Sequence, residues 1–224
     1  GKFSGATGTF SAHLVAAPSV DWLAESEAFV TSLGLTWNPL TTQIESHDWQ
    51  AELYSALALF NRILHNFCTD VWTYISMNYF KQIPAPGATG SSTMPHKINP
   101  IRFENAESNL EFSNAILDSL ANTLVTSRLQ RDLTDSSSQR NIGLGFGHSL
   151  LAIDNVLRGL GELELSDAVL AADLGENWEV LGEAIQTVIR AEVAAGRSKI
   201  ENPYEILKEL TRGKQISADD LAVF

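Results

Sequence analysis

The densest run of residues able to do chemistry is Gly90-Ser91-Ser92-Thr93-Met94-Pro95-His96-Lys97-Ile98-Asn99-Pro100. It packs serine hydroxyls, a lysine, an amide and a helix start into one short segment. Glycine lets the backbone come close to a ligand. Pro100 suits the first position of a helix, whose unpaired N–H groups and positive dipole end favour a carboxylate. Lys97 adds a full positive charge. A generic Ser/Gly loop is usually an ordinary surface connection, but this combination is more specific than that. A second cluster is Ser136-Ser137-Ser138-Gln139, flanked by Arg131 and Arg140. Hydroxyls and guanidinium groups in that arrangement suit a phosphate. Composition alone favours a solvated loop with a helix cap there.

These residues need long helices to hold them. Ser19-Val20-Asp21 offers an N-cap, Trp22, Leu23, Phe29, Val30 and Leu33 follow at helical spacing, and Gly34 is placed as the stop. From Ser46 to Phe80 there is no Gly or Pro, and Leu53, Leu57, Phe60, Leu64, Phe67 and Val71 keep a helical period. About 35 helical residues would span on the order of 50 Å, a length that points to a bundle. Pro84–Gly87 breaks that helix, and residues 87–100 read as a loop. The next helix is expected from Pro100 to about Leu124. After a polar segment, Arg128–Arg140, another runs from near Ile142 to about Leu163. Gly143, Gly145 and Gly147 within it would let a neighbouring helix approach closely. From Ser166 onward the helices shorten and Gly175, Gly182, Gly196 and Asn202-Pro203 punctuate the chain. Two domains are therefore expected, 1–165 and 166–224, with an all-α fold.

The 224 residues carry 27 acidic against 15 basic side chains, a net charge of -12. That balance argues against nucleic acid or an anionic membrane surface as a partner, since both need a basic face. A small anionic substrate remains compatible, because a pocket can hold a few cations inside an acidic shell. One cysteine, Cys68, excludes an internal disulfide and a Cys-rich zinc site. No uninterrupted apolar run reaches the roughly 18 residues of a membrane span. No basic-then-apolar leader opens these residues, so a cytoplasmic location is the expectation.

The run Gly90–Pro100 resembles the GSSxMPxKxNP signature of the aspartase/fumarase superfamily and matches it at every fixed position. Further segments are similar to its adenylosuccinate lyase branch in the bacterial form: Gly5-Ala6-Thr7-Gly8 to His13, Thr41–Glu45, Gln130–Ser136, and Pro203–Lys214. The resemblance implies a long-helix bundle followed by a small helical C-terminal domain, and a homotetramer. It implies a β-elimination that releases fumarate from adenylosuccinate, giving AMP, and from SAICAR, giving AICAR, without a cofactor or a metal. Ser91 would be the general base and Ser92 a substrate-binding hydroxyl. Lys97 and Asn99, with Ile98 between them, would hold the succinyl carboxylates. Gln43 and Asn105 match substrate-contacting positions. The resemblance also favours a phosphate site at Arg131, Ser136, Ser137, Ser138, Gln139 and Arg140.

The histidines are expected to be mostly structural. His65 and His148 sit on helices among apolar or small residues, His47 takes a local polar role, and His96 belongs to the loop. Nothing assigns His13 a catalytic role. No Asp/Glu/His set has helical spacing with a third ligand nearby, so no metal site is expected. The family's general acid, a histidine in a Thr/His-x-Gln-Pro-Ala motif, has no counterpart in these residues. The chain opens mid-loop without Met, so the expectation is the C-terminal half of a longer lyase, inactive by itself. Two alternatives are an argininosuccinate-lyase-like enzyme and a non-catalytic helical assembly protein.

Overall fold

The computed structural model describes residues 1–83, 98–128 and 133–212. Within them the chain divides into two compact units, Gly1–Thr73 with Pro84–Glu162, and Tyr74–Ile83 with Leu163–Phe224. The described residues are overwhelmingly helical, as the spacing of apolar residues predicts.

In the first unit, α1 (Ser11–Ala16) and α2 (Trp22–Ser32) precede three long elements: α3 (Asp48–Ser76), α4 (Ile101–Leu124) and α6 (Ile142–Gly161), with the short α5 (Thr134–Gln139) before α6. Asp21 caps α2 by accepting the Ala24 N–H at 3.1 Å. Gly34 then stops it in the left-handed region at φ 75°. The core is a seam of Tyr54 and Ala58 from α3 against Leu117, Leu120 and Leu124 from α4, with Ile142 and Phe146 of α6 packed on it. Each leucine so buried contributes about 1.5–3 kcal/mol.

A polar network threads this seam. Asn61 of α3 donates from Nδ2 to Ser113 Oγ at 3.0 Å and to Asn114 Oδ1 at 3.1 Å, both on α4. Its Oδ1 accepts from Ser149 Oγ of α6 at 2.7 Å, and Ser113 Oγ donates to the Gly145 carbonyl at 2.7 Å. Asn61, Ser113 and Ser149 are all buried. A one-residue slip of any helix would strand these groups without partners, so the network sets the register of α3, α4 and α6.

Three sequence expectations are corrected. The long helix stops at Ser76, short of Phe80. Asn78 enters the left-handed region at φ 61°, and the Asn78 and Tyr79 N–H groups bond the Ile75 and Tyr74 carbonyls. That is a Schellman ending, and it releases Phe80 into a strand. Pro100 stands at the N-cap of α4 and not inside its first turn. Among the glycines of α6, Gly145 and Gly159 face neighbours, whereas Gly143 and Gly147 meet nothing within 4 Å. The buried stripe of α6 runs Gly145, Ser149, Ala152, Val156, Gly159, and residues 143 and 147 fall off that face.

In the second unit, β1 (Phe80–Gln82) pairs antiparallel with β2 (Leu163–Leu165), Phe80 opposite Leu165. Helices α7 (Asp167–Glu176), α8 (Gly182–Ala194) and α9 (Pro203–Thr211) follow, with a 3-10 turn at Trp178–Leu181. Tyr79 donates its hydroxyl to Asp173 at 2.6 Å, which holds the phenol above the usual tyrosine range. Asn202 caps α9, with Pro203 in its first turn.

Candidate functional site

The N-terminal end of α4 (Ile101–Leu124) follows directly on the Gly90–Pro100 run and is the centre of the candidate site. Ile98 and Asn99 lead directly into it, and both are exposed. The Pro100 carbonyl accepts the Phe103 and Glu104 N–H groups, so the Ile101 and Arg102 N–H groups are those of the first turn that point at an anion. Arg102, the nearest described cation on that helix, is spent on Glu162, the C-cap of α6, at 3.1 Å. Asn105 lies one turn further on, exposed, and is tied to α6 through Asn155. Ser91, Ser92, Lys97 and Arg131, with His96, lie outside the described residues.

Gln43 is half-buried in the connection between α2 and α3. Two features press its segment into place. Lys2 donates from Nζ to the Thr42 carbonyl at 3.0 Å and the Gln43 carbonyl at 2.6 Å. Burial pushes that ammonium below the usual lysine range, while Glu45 pulls it back up. Gly8, at φ 79°, lies flat on the same segment, where a Cβ would collide with the Thr41 and Thr42 backbone.

His47 joins this segment to the hydroxyl cluster. It is 8% exposed, in the left-handed region at φ 60°, and its N–H donates to Glu45 at 3.0 Å. Its ring Nε2 accepts from Gln139 Nε2 at 2.9 Å. Gln43 and Gln139 are thus brought into one neighbourhood although 96 positions separate them. Around Gln139, α5 leaves Ser136, Ser137 and Arg140 exposed and Ser138 half-buried. Within the polar segment, Thr134–Gln139 is helical, which presents its hydroxyls along one short turn.

The remaining histidines divide. His65 pairs with Glu111 at 3.3 Å, and His148 bonds Asn109. His13 packs edge-on against Phe10 and Trp22, with Nδ1 buried and unpartnered among the described residues. No cluster of three or more His, Cys, Asp or Glu is placed to hold a metal among the described residues. No helix among them is long and apolar enough to cross a membrane. Sequence reasoning missed Lys2 and Asn109. Asn109 carried a signal, lying one helical turn from Asn105; Lys2, forty positions from its acceptors, carried none.

Residues 1–111 match the family model described as Lyase, and residues 127–224 the model described as Adenylosuccinate lyase C-terminal. The chain is 54% identical over 224 residues to the adenylosuccinate lyase of Escherichia coli K12, covering 100% of this chain and 48% of that protein. It is 53% identical to that of Vibrio cholerae and 50% identical to that of Haemophilus influenzae, again over all of this chain and 48% of each. The crystal structure of 3-carboxy-cis,cis-muconate lactonizing enzyme from Pseudomonas putida superposes with a TM-score of 0.60 at 24% identity. It covers 93% of this chain and 45% of that one, a likeness of fold. The chain spans about half the length of the curated relatives it matches. The matched models, the identity across every segment and the helical architecture agree: this chain belongs to the adenylosuccinate lyase family, within the aspartase/fumarase superfamily.

Proposed function

We propose that the whole protein catalyses the β-elimination of fumarate from adenylosuccinate, giving AMP, and from SAICAR, giving AICAR, in purine biosynthesis. The observation that carries this is the unbroken Gly90–Pro100 run, set in a chain similar to adenylosuccinate lyases along its whole length. The names of those relatives favour this branch over argininosuccinate lyase.

The reaction removes a proton from the carbon next to a carboxylate. The electron pair spreads into that carboxylate as a dianion, then forms the C=C bond as the C–N bond breaks, and the leaving nitrogen takes a proton from a general acid. Stabilising the dianion is the largest available lever. Lys97 and Asn99, with Ile98 between them, hold the succinyl carboxylates beside the positive end of α4. Ser91 is the base; its hydroxyl serves only where N–H groups and Lys97 stabilise the alkoxide. Ser92, Gln43 and Asn105 bind substrate, and Arg131, Ser136, Ser137, Ser138, Gln139 and Arg140 take the phosphate. The partner is a small molecule in the cytoplasm.

The protein assembles as a homotetramer. Leu59, Phe60 and Ile63 of α3 are 58%, 47% and 64% exposed, and Leu150 and Leu157 of α6 are 66% and 65% exposed. Large apolar side chains exposed on two long helices of one bundle are the surface that copies of the same bundle would cover.

The decisive measurement is fumarate and AMP release by the whole protein and its Ser91→Ala variant. The variant should lose about 10²–10⁴-fold in kcat with KM little changed. Undiminished turnover by Ser91→Ala would remove Ser91 from the mechanism, and no release by the unsubstituted protein would overturn the function.

A further inference from the structure

Asn105 does not stand alone on α4. Asn109, one turn below it, donates from Nδ2 to the Asn105 backbone carbonyl at 2.8 Å and to the Asn105 Oδ1 at 3.1 Å. Asn155 of α6 donates from Nδ2 to the Leu151 carbonyl at 2.9 Å and to the same Oδ1 at 3.0 Å. A backbone carbonyl can only accept, so each of those amides must turn its NH₂ toward it. The two carbonyl anchors therefore settle which end of Asn109 and of Asn155 faces Asn105. The atom of Asn105 that meets both NH₂ groups must be its oxygen. One further link closes the set: His148 Nδ1 lies 2.8 Å from Asn109 Oδ1, an atom that can only accept, so the ring presents Nδ1–H there. Its ring stacks on Phe112 at 5.7 Å, and Asn109 is 9% exposed, which holds the lower part of the relay in place.

The consequence is a side chain with one end of known polarity that no described residue engages. Turning the Asn105 amide over would point its NH₂ at two other NH₂ groups and lose both bonds. No bond among the described residues uses the Asn105 Nδ2, and the residue is exposed. The geometry points to Asn109, Asn155 and His148 as positioning residues that lock Asn105 as a donor, so that it takes an anionic oxygen of the ligand. This deepens the proposed function and rests on Asn105 binding the substrate. A carboxylate and a phosphate oxygen share the required chemistry; groups that only donate are refused.

Fumarate and AMP separate the two sources of that oxygen. Inhibition constants for each are measured on the whole protein and on the Asn105→Ala, Asn155→Asp and Asn155→Ala variants. Asn105→Ala raises the constant for one of the two inhibitors by about tenfold. Asn155→Asp places an acceptor against the Asn105 oxygen, drives the amide over, and raises the same constant at least as much. Asn155→Ala, which leaves Asn109 in place, raises it only a few-fold. In all three the other inhibitor and the melting midpoint are unchanged. A rise in both constants together with a lowered midpoint in the Asn155 variants would mean a purely structural role and overturn the proposal. Normal constants in Asn155→Asp beside a raised one in Asn105→Ala would overturn the positioning alone. Normal constants in Asn105→Ala would overturn substrate binding by Asn105, and the relay with it.

Discussion

Among single residues, Cys68 shows how burial decides chemistry. The thiol is fully buried on α3, and burial, with the negative charge of Glu107, pushes it from 9.0 up to about 12. A neutral, inaccessible thiol does not attack alkylating reagents. Incubation of the native protein with iodoacetamide at pH 8 should leave Cys68 unmodified, whereas the denatured chain reacts within minutes; mass spectrometry reads the difference. The sign of the pH effect follows from the direction of the shift. Below about pH 9 the thiol is protonated in both folded and unfolded chains and contributes no pH dependence. Between about 9 and about 12 only the unfolded chain releases the proton, so stability falls as pH rises. Urea midpoints at pH 8 and pH 10 should show that loss, and Cys68→Ala should reduce it. Retention of the full slope in Cys68→Ala would assign it to other groups.

At the scale of elements, the crossing of α4 and α6 is the tightest joint. A Cβ on Gly159 would sit 2.8 Å from Phe103 Cζ and 3.0 Å from Arg102 Cβ. Phe103 is 1% exposed and Arg102 is held by Glu162, so neither yields easily. Replacing a mid-helix glycine by alanine gains about 1 kcal/mol in helix propensity. Overpacking costs about 1–3 kcal/mol. The clash wins, and Gly159→Ala should lower stability by about 1 kcal/mol, read as a lower urea midpoint at unchanged slope. A raised midpoint would show that the helices can separate freely. The same two helices carry Asn105 and Asn155, so loosening this joint also disturbs the candidate site.

For the whole molecule, the exposed apolar faces of α3 and α6 make association the expected state. Sedimentation equilibrium of the whole protein should give about four times the mass of one of its chains. Ile63 is 64% exposed in the single chain, so Ile63→Glu costs the isolated fold little, yet it puts a charge on the face proposed to meet another copy. That variant should sediment as smaller species with unchanged helix content by circular dichroism. A monomer for the unsubstituted whole protein at micromolar concentration would remove the tetramer.

Much of this was legible from the residues alone. Helical period located α2, α4 and α6 to within a few positions, because each buries one face and repeats it every three or four residues. The Gly90–Pro100 motif, with the matching segments from Gly5 to Lys214, points to the family from sequence alone. Cys68 reads as buried from its place in an apolar helix. Tertiary structure decided what depends on distant partners. Phe80 leaves its helix for a strand pairing with Leu165 across 85 positions. Of the glycines of α6, only Gly145 and Gly159 meet another helix. Lys2 clamps Gln43, His47 links it to Gln139, and Asn155 orients Asn105. Local periodicity records which face of a segment is apolar; it carries no information about which polar atom, dozens of residues away, will arrive within 3 Å of another.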